Sequence, residues 1–271
     1  MTAKALPPLF VSHGSPAMVI TPGPARDFML GLGKAYEKAH GRPRAILSAS
    51  AHWETDKPAV STAEKPETIH DFSGFPEELY RIRYAAPGAP QVANRAADLI
   101  SAAGLPVACD AHQGLDHGAW SPLLLMWPEA EIPVAQVAMQ PHAGAEHHIR
   151  LGAALAPLTK EGVLVMGTGS ATHNLRDTFT RMRSGNADTP DWARAFDAWL
   201  DEKIAAGDRT ALADYRRLAP GAVMAHPSDE HLLPLHVAFG AAGPGAHGHR
   251  LYNGFDFGSL SMGAWAFDPA A

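Results

Sequence analysis

The segment AILSASAHW (residues 45–53) is a run of apolar and small residues that ends in a histidine. Three other stretches also place a histidine beside an apolar run: PLFVSHGSP (8–16), VLVMGTGSATHN (163–174) and HPSDEH (226–231). The first three are predicted to be buried strands that lead into small-residue loops, and the fourth to be a turn entering a helix. The strand ends of an α/β sheet collect at one edge, where such folds bind their ligands. We therefore expect these histidines to meet at one edge of a sheet.

The composition is that of a globular protein without a basic face. Of 271 residues, 46% are hydrophobic and 18% are charged, and the net charge is −6. This balance argues against a nucleic-acid partner, and no apolar run approaches the roughly eighteen residues that a membrane helix needs. Residues 1–8 do not resemble a secretory signal. The single cysteine, Cys109, excludes an internal disulfide and suits a reducing compartment, so we expect a cytoplasmic location.

Strand and helix patterns alternate along the chain. Helical spacing of apolar residues recurs at 24–40, 90–104 and 143–158, with apolar strand-like runs between these segments. This order predicts an α/β fold with a largely parallel sheet of about six to eight strands, covered by helices on both faces. Neither G-x-G-x-x-G nor G-x-x-x-x-G-K-[ST] occurs, so no nucleotide site is predicted.

Several local predictions depend on loop and capping signals. Residues 114–120 are predicted to form a loop, with a helix beginning at Ala119. Ser228 is predicted to cap a helix that runs to about Gly240, which would place His231 near its third position. The chain at 259–267 is predicted to be the last strand.

Two other segments carry histidines. The pair His147 and His148 is predicted to lie on a solvent-facing patch of a helix. The aromatic segment 68–90, rich in proline and glycine, is either a packed surface loop or one wall of a substrate pocket.

Four histidines are the candidate metal ligands: His13, His52, His173 and His231. From position alone, His173 is either a ligand or an acid–base group beside the metal. In the last stretch, Glu230 and His226 remain alternatives to His231.

His117 is a candidate acid–base group. Three or four nitrogen ligands with an open position suit Zn(II) or Fe(II), and two histidines with one carboxylate would favour Fe(II) and oxygen chemistry. No serine lies in a G-x-S-x-G elbow, which argues against a serine hydrolase.

Seven short motifs, in order along nearly the whole chain, resemble the class III extradiol ring-cleaving dioxygenases, and within the LigB superfamily they are most similar to the DOPA-dioxygenase type. The motifs are HGSP (13–16), SAHW (50–53), HDFxGFPxxLY (70–80), DHGxW (116–120), HNLR (173–176), PxxEHxLPL (227–235) and GSLSM (258–262). The resemblance implies a single catalytic domain over 1–271, a three-layer α/β sandwich with a mostly parallel or mixed central sheet.

The resemblance also implies a site and a cofactor. One divalent metal ion would be bound by His13, His52 and His231, with His173 as a fourth ligand in zinc-loaded relatives. The catalytic metal would be Fe(II), with His173 then acting as acid–base catalyst, and Zn(II) would be the ion found on isolation. His117 would bind the substrate or oxygen. Better-known members use a glutamate as third ligand, so Glu230 remains the rival of His231.

The expected reaction is extradiol ring opening of a DOPA-like catechol by dioxygen. We expect Phe72, Tyr80 and Trp120, together with Phe75, to form an apolar wall for the flat ring. A zinc-dependent hydrolase on the same site and a non-catalytic binding protein of the same superfamily are the alternative functions. The protein is expected to be a monomer or a homodimer that binds neither nucleic acid nor membrane.

Overall fold

A computed structural model describes residues 5–268, and within them eight strands form one sheet and two more form a small hairpin-like pair. The first four residues, part of the stretch judged not to be a secretory signal, lie outside the described range. The strands are β1 (Leu9–Ser12), β2 (Ala45–Glu54), β3 (Ala59–Ser61), β4 (Ala108–Asp110), β5 (Val134–Met139), β6 (Val163–Gly169), β7 (His247–Tyr252), β8 (Phe255–Asp256), β9 (Leu260–Ser261) and β10 (Ala264–Asp268).

The sheet is mixed, with a parallel centre. Its order is β4-β3-β5-β2-β6-β1-β10-β7, and the four central strands β5, β2, β6 and β1 pair in parallel. β3 runs antiparallel to β5, and β10 runs antiparallel to both β1 and β7. The predicted fold class is therefore confirmed, including the mixed character of the sheet.

Helices cover both faces of this sheet. They are α1 (Pro24–His40), α2 (Glu77–Arg81), α3 (Pro90–Ala102), α4 (His117–Met126), α5 (Gly144–Lys160), α6 (Leu175–Ser184), α7 (Asp191–Ala205), α8 (Arg209–Ala213), α9 (Tyr215–Leu218), α10 (Ala222–Ala225) and α11 (Leu233–Ala241), with short 3-10 helices at Pro16–Val19 and Pro141–Ala143.

Two apolar cores result, one on each face. Neighbouring residues of a strand point to opposite faces, so Leu47 joins the core beneath α3, α5 and α11, whereas Ile46 joins the core beneath α1 and α4. Both side chains are fully buried. A strand that is apolar on both faces is what a doubly covered parallel sheet requires.

The carboxyl ends of β1, β2 and β6 meet at one edge. Ser12 pairs with Gly169, and Ser50 pairs with Thr168, so β1 and β6 end close to the same level. β2 continues past this level to Glu54, so His52 lies within the strand and not, as predicted, in a loop that follows it. His13 directly follows β1, and His52 lies two residues beyond Ser50. This register brings histidines distant in sequence to the same place.

The fourth histidine-bearing stretch differs from its prediction. α11 begins at Leu233, not at Ser228, with Pro234 in its first turn, where the missing N–H of proline costs nothing. The Ser228 hydroxyl donates instead to Glu230 Oε1 at 3.0 Å. His231 therefore lies in the turn that precedes the helix.

Three further local predictions need correction. α4 begins at His117 rather than Ala119, because the Asp116 carboxylate accepts from the backbone N–H of Ala119 at 3.1 Å and caps the helix. His148 is fully buried rather than solvent-facing, since it lies on the inner face of α5. The predicted last strand is two strands, β9 and β10, which are separated by a turn at Gly263.

Candidate metal centre and active site

Three histidines from three different segments form one cluster at the sheet edge. His13, His52 and His231 each place a ring nitrogen so that these nitrogens all lie within 4.8 Å of one another. The ring centroids of His13 lie 5.0 Å from those of His52 and 5.5 Å from those of His231. Three imidazoles converging in this way are compatible with a mononuclear metal site.

Each of the three rings is oriented through its Nδ1 atom. His13 Nδ1–H donates to the Gly14 carbonyl at 2.9 Å, and His231 Nδ1–H donates to Glu230 Oε1 at 2.9 Å. His52 Nδ1 lies 3.3 Å from Asp71 Oδ2. These contacts fix the tautomer that leaves Nε2 as an electron-pair donor, as is usual for metal-binding histidines.

The opposite nitrogens are the unpartnered ones. His13 Nε2 and His52 Nε2 are buried and have no hydrogen-bond partner within residues 5–268. A buried polar atom without a partner is energetically costly, so such atoms usually bind a water molecule or an ion. Two such nitrogens in one three-histidine cluster fit a bound metal ion.

Glu230 orients His231 and is absent from the three-histidine group. Its Oε1 accepts from His231 Nδ1, and it also lies 4.0 Å from His173 Nδ1. His226, the other alternative, is fully buried and donates from Nε2 to the Ala171 carbonyl at 3.0 Å. Glu230 also forms, with His173 and His231, a second group whose ligand atoms lie within 4.8 Å of one another, whereas His226 belongs to neither group.

His173 stacks on His231. The ring centroids are 3.4 Å apart, and the planes differ by 11°. Burial, followed by the influence of His117, lowers the pKa of His173 to about 4. A neutral imidazole therefore lines the site near neutral pH, beside the three-histidine group rather than within it.

His117 is held by Asp71. The His117 Nδ1–H donates to Asp71 Oδ2 at 3.0 Å, and the His117 backbone N–H donates to Asp71 Oδ1 at 2.9 Å. Burial acts to raise the pKa of Asp71, but the hydrogen bonds and charge of His117 outweigh it and lower that pKa to about 2. The ionised carboxylate therefore fixes the His117 ring and also faces His52.

The cluster itself favours neutral imidazoles. Burial is the main cause that lowers the pKa of His13 and His231 well below the ordinary value, with the neighbouring histidines adding to it. Burial and His117 likewise lower the pKa of His52 to about 3. A metal ion binds deprotonated ligands, and these histidines are neutral over a wide pH range, so a metal ion would not have to displace protons from them.

A cavity of ≈ 310 Å³ opens from this cluster. Phe72 is one of its walls, and its ring meets that of His117 edge to face at 5.6 Å. Tyr80 and Trp120 do not line the cavity; they lie behind Phe72, with ring centroids 5.2 and 6.3 Å from its own. Trp120 is fully buried and donates from Nε1 to the Ile69 carbonyl.

Sequence reasoning missed three parts of this site. Asp71 and Glu230 orient histidines, whereas the sequence analysis gave Asp71 no role and treated Glu230 only as a possible ligand. The third part is an apolar face of α6 that lines the cavity with Leu175, Phe179 and Met182. The sequence contains a signal for this face, because the three apolar residues recur at helical spacing in a segment whose other residues are mostly polar.

The LigB family, described as "Catalytic LigB subunit of aromatic ring-opening dioxygenase", matches residues 8–258. The chain belongs to the LigB family. This membership makes the protein an aromatic ring-opening dioxygenase, as the resemblance implied. Members use a non-heme divalent metal, and the three-histidine cluster is compatible with one.

Curated relatives extend this match. A protein of Beta vulgaris named "4,5-DOPA dioxygenase extradiol" is 46% identical over 95% of this chain and 95% of its own length. A protein of Escherichia coli (strain K12) with the same name is 35% identical over 97% of this chain and 94% of its own length.

A solved structure agrees in fold. The crystal structure of an uncharacterized protein from Escherichia coli K12 superposes with a TM-score of 0.77 at 29% identity, covering 96% of this chain and 99% of that one.

In residues 5–268, no helix combines the length and the apolar character that crossing a membrane would require.

Proposed function

We propose that the protein opens the ring of a DOPA-like catechol by extradiol cleavage with dioxygen, and that residues 1–271 act as one catalytic domain. The observation that carries this proposal is the convergence of three Nε2-presenting histidines on a cavity with an aromatic wall. Membership of the LigB family and curated relatives named for this activity support it.

We propose His13, His52 and His231 as the metal ligands, with Glu230 as the residue that orients His231. Fe(II) is the proposed catalytic ion, and Zn(II) the ion that the protein carries when isolated, with His173 then close enough to join as a fourth ligand. When held by these histidines, Fe(II) would supply the redox chemistry of the reaction with dioxygen and a positive charge that favours the deprotonated catechol. Zn(II) is redox-inert and would supply only the charge.

The chain itself moves the protons. His117, with Nδ1–H donated to Asp71, presents Nε2 towards the cavity and can accept a proton from a catechol hydroxyl. His173 is neutral near pH 7 and can take up or return a second proton. Two imidazoles that line one cavity provide the acid–base groups that deprotonation of a diol and protonation of the opened product require.

Phe72 is the proposed contact for the flat ring of the substrate. It lies next to His117, so a ring packed against it has its hydroxyls near the histidines. Tyr80 and Trp120 contribute by holding Phe72 in place from behind. Aromatic pairs of this kind define an orientation as well as an apolar surface.

The location and assembly state are further proposals. The lone Cys109 is an exposed free thiol, which suits a reducing compartment such as the cytoplasm. A monomer or a homodimer is proposed, and light scattering of the metal-loaded protein distinguishes them.

Reconstitution with Fe(II) tests the activity. Protein loaded anaerobically and then mixed with DOPA and oxygen should consume one dioxygen per catechol and form a yellow ring-opened product. His52→Ala should lose both metal and activity. As a matched control, His249→Ala removes an exposed histidine of β7 and should keep both.

Two results would contradict these proposals. Iron-loaded protein that consumes no oxygen with any of a panel of catechols would contradict the proposed reaction. Full metal content in His52→Ala would contradict the ligand assignment.

A further inference from the structure

We propose that a groove beside the catalytic cavity binds the amino-acid group of the substrate, with Arg26 binding its carboxylate and Asp256 its ammonium group. The proposal rests on the proposed ring-opening function, and it names the residues that select a catechol with an amino-acid group, such as DOPA, over a plain catechol. Three features support it: the distribution of charge around the site, the position of the groove, and the contacts of the two side chains.

The catalytic cavity has no charged wall that could bind an amino-acid group. Among the described residues that line it, none is Asp, Glu, Lys or Arg. The carboxylates of Asp71 and Glu230 lie nearby, but each accepts a hydrogen bond from a histidine of the site. Arg181 of α6 donates to Asp177 at 2.6 Å. A carboxylate or ammonium group inside the cavity would lose hydration without a partner, so its partners must lie beyond these walls.

A second groove, of ≈ 260 Å³, adjoins the cavity and carries both charges. Ser15 and Phe257 line the groove as well as the cavity, so the two spaces adjoin at these residues. Among the described residues that line the groove, the charged ones are Arg26 and Asp256. One cation and one anion in a single groove complement a carboxylate and an ammonium group that share one carbon atom.

The backbone places Asp256 next to the cavity wall. In the pairing of β8 with β9, Asp256 lies opposite Leu260, which lines the cavity. Residues directly opposite each other on paired strands present their side chains on the same face. Phe257, which follows Asp256, has a φ of 51°, in the left-handed region that a bulky residue rarely adopts. Strained backbone of this kind collects at functional sites, where the surrounding structure maintains it.

The Asp256 carboxylate lacks a partner. It is half-buried, and within residues 5–268 it forms neither a hydrogen bond nor an ion pair. Burial raises its pKa above the ordinary value, as expected of an ionised group without a compensating charge. The pKa of the neighbouring Tyr252 is also raised, by burial and by the charge of Asp256. An ammonium group in the groove would supply the cation that this carboxylate lacks.

Arg26 is held by the chain that leads away from His13. Its Nε donates to the Val19 carbonyl at 3.3 Å, at the end of the 3-10 helix Pro16–Val19. This contact fixes the guanidinium near Ser15, the residue before that helix. Nη1 and Nη2 have no carboxylate partner within residues 5–268, so the end of the guanidinium retains the paired donors that bind a carboxylate in two places.

The test uses catechols that differ only in the two charges. DOPA carries a carboxylate and an ammonium group, dihydrocaffeate lacks the ammonium group, dopamine lacks the carboxylate, and 4-methylcatechol lacks both. Binding to the Zn(II)-loaded protein is measured by calorimetry without oxygen, so that no turnover occurs. KM and kcat are measured with the Fe(II)-loaded enzyme. We expect DOPA to bind most tightly of the four compounds.

Two substitutions should affect different members of this panel. Arg26→Gln should weaken binding of DOPA and dihydrocaffeate by about three- to tenfold without weakening dopamine, because only the first two have a carboxylate. Asp256→Asn should weaken DOPA and dopamine by about the same factor without weakening dihydrocaffeate. The losses should appear in KM rather than kcat, because the amino-acid group does not react.

Matched controls remove the same charges elsewhere. Arg150→Gln and Asp56→Asn change exposed residues that line neither the cavity nor the groove, and they should leave all four affinities unchanged. Binding of 4-methylcatechol should be the same in all variants, which shows that the cavity itself is intact.

The outcomes separate this proposal from the proposed function. If both substitutions weaken every catechol equally, 4-methylcatechol included, or weaken none, the groove does not bind the amino-acid group, whereas ring cleavage by the native enzyme still stands. If no catechol is cleaved but calorimetry shows the two different patterns of loss, the reaction is wrong and the assignment of the groove stands. Absent binding of all four compounds to the native protein overturns that assignment.

Discussion

Gly169 leaves the space in which the carbonyl oxygen of His231 lies. A Cβ on Gly169 would overlap that oxygen, and the neighbouring Ser170 N–H donates to it at 2.8 Å. The end of β6 and the turn before α11 are therefore in backbone contact. This contact sets the position of one proposed metal ligand relative to the other two.

Gly169→Ala should accordingly weaken metal binding. The added methyl group must displace His231, and overpacking of this kind costs about 1–3 kcal/mol of stability. Metal titration and thermal unfolding of the variant measure the two effects. Gly31→Ala is the control, because Gly31 is an exposed residue of α1 and an added Cβ there would contact no described atom within 4 Å. Alanine favours a helix more than glycine does, so this variant should stabilise the protein by up to about 1 kcal/mol. Unchanged metal affinity in Gly169→Ala would show that the contact does not position His231.

Glu230→Ala should reduce metal affinity by about 10–100-fold without abolishing it. The carboxylate orients His231 through Nδ1, so its loss frees the ring but leaves all three Nε2 atoms in place. Glu230→Gln retains a hydrogen-bond acceptor and should recover part of the affinity. Competition with a chromophoric chelator measures these constants. If Glu230→Ala binds no metal while His231→Ala still does, the glutamate is the ligand and the assignment is reversed.

Asp71→Asn should lower kcat with the metal still bound. Asparagine can accept only one of the two hydrogen bonds that His117 donates to Asp71, and it carries no charge to stabilise the protonated ring, so we expect kcat to fall by about 10–100-fold. The pH profile of kcat should shift as well, which a purely structural defect would not cause. In a His117→Gln variant, adding Asp71→Asn should lower kcat little further, because the effects of two residues that act as a unit are not additive. Full additivity would show that Asp71 acts independently of His117.

His148 should contribute to loss of stability in acid. Burial is the main cause that lowers its pKa to about 3, and its hydrogen bonds to the Gly144 carbonyl and from the Gln140 N–H suit the neutral ring. The unfolded chain binds a proton near pH 6.5 whereas the folded chain does not, so stability is complete above pH 6.5 and falls as the pH drops below it.

The difference between pH 7 and pH 5 from this one group is about 2 kcal/mol. His148→Gln should remove that part of the pH dependence, as measured by urea unfolding at both pH values. His112→Gln, at an exposed position, should leave it unchanged. An equally steep pH dependence in His148→Gln would show that this ring is not the source.

Local sequence pattern was sufficient for the fold class and for the helices α1, α3 and α5, whereas it misplaced the starts of α4 and α11 and merged β9 with β10. Strands β2 and β6 are continuous apolar runs, as expected of strands that are buried on both faces. Strands of this kind are typical of a parallel sheet, in which their carboxyl ends lie at the same edge. The order of the motifs along the chain was likewise enough to indicate the family.

Tertiary structure alone decided which polar groups turn towards one another. His226 and His148 are histidines like His231, yet both rings are fully buried and form hydrogen bonds to groups outside the three-histidine cluster. Glu230 was an equally open candidate for a ligand role, and it accepts a hydrogen bond from His231 Nδ1. The physical reason is that a side chain's partner depends on rotamer and on contacts between segments far apart in the chain, such as Gly169 against His231. Spacing along one chain does not encode those distances.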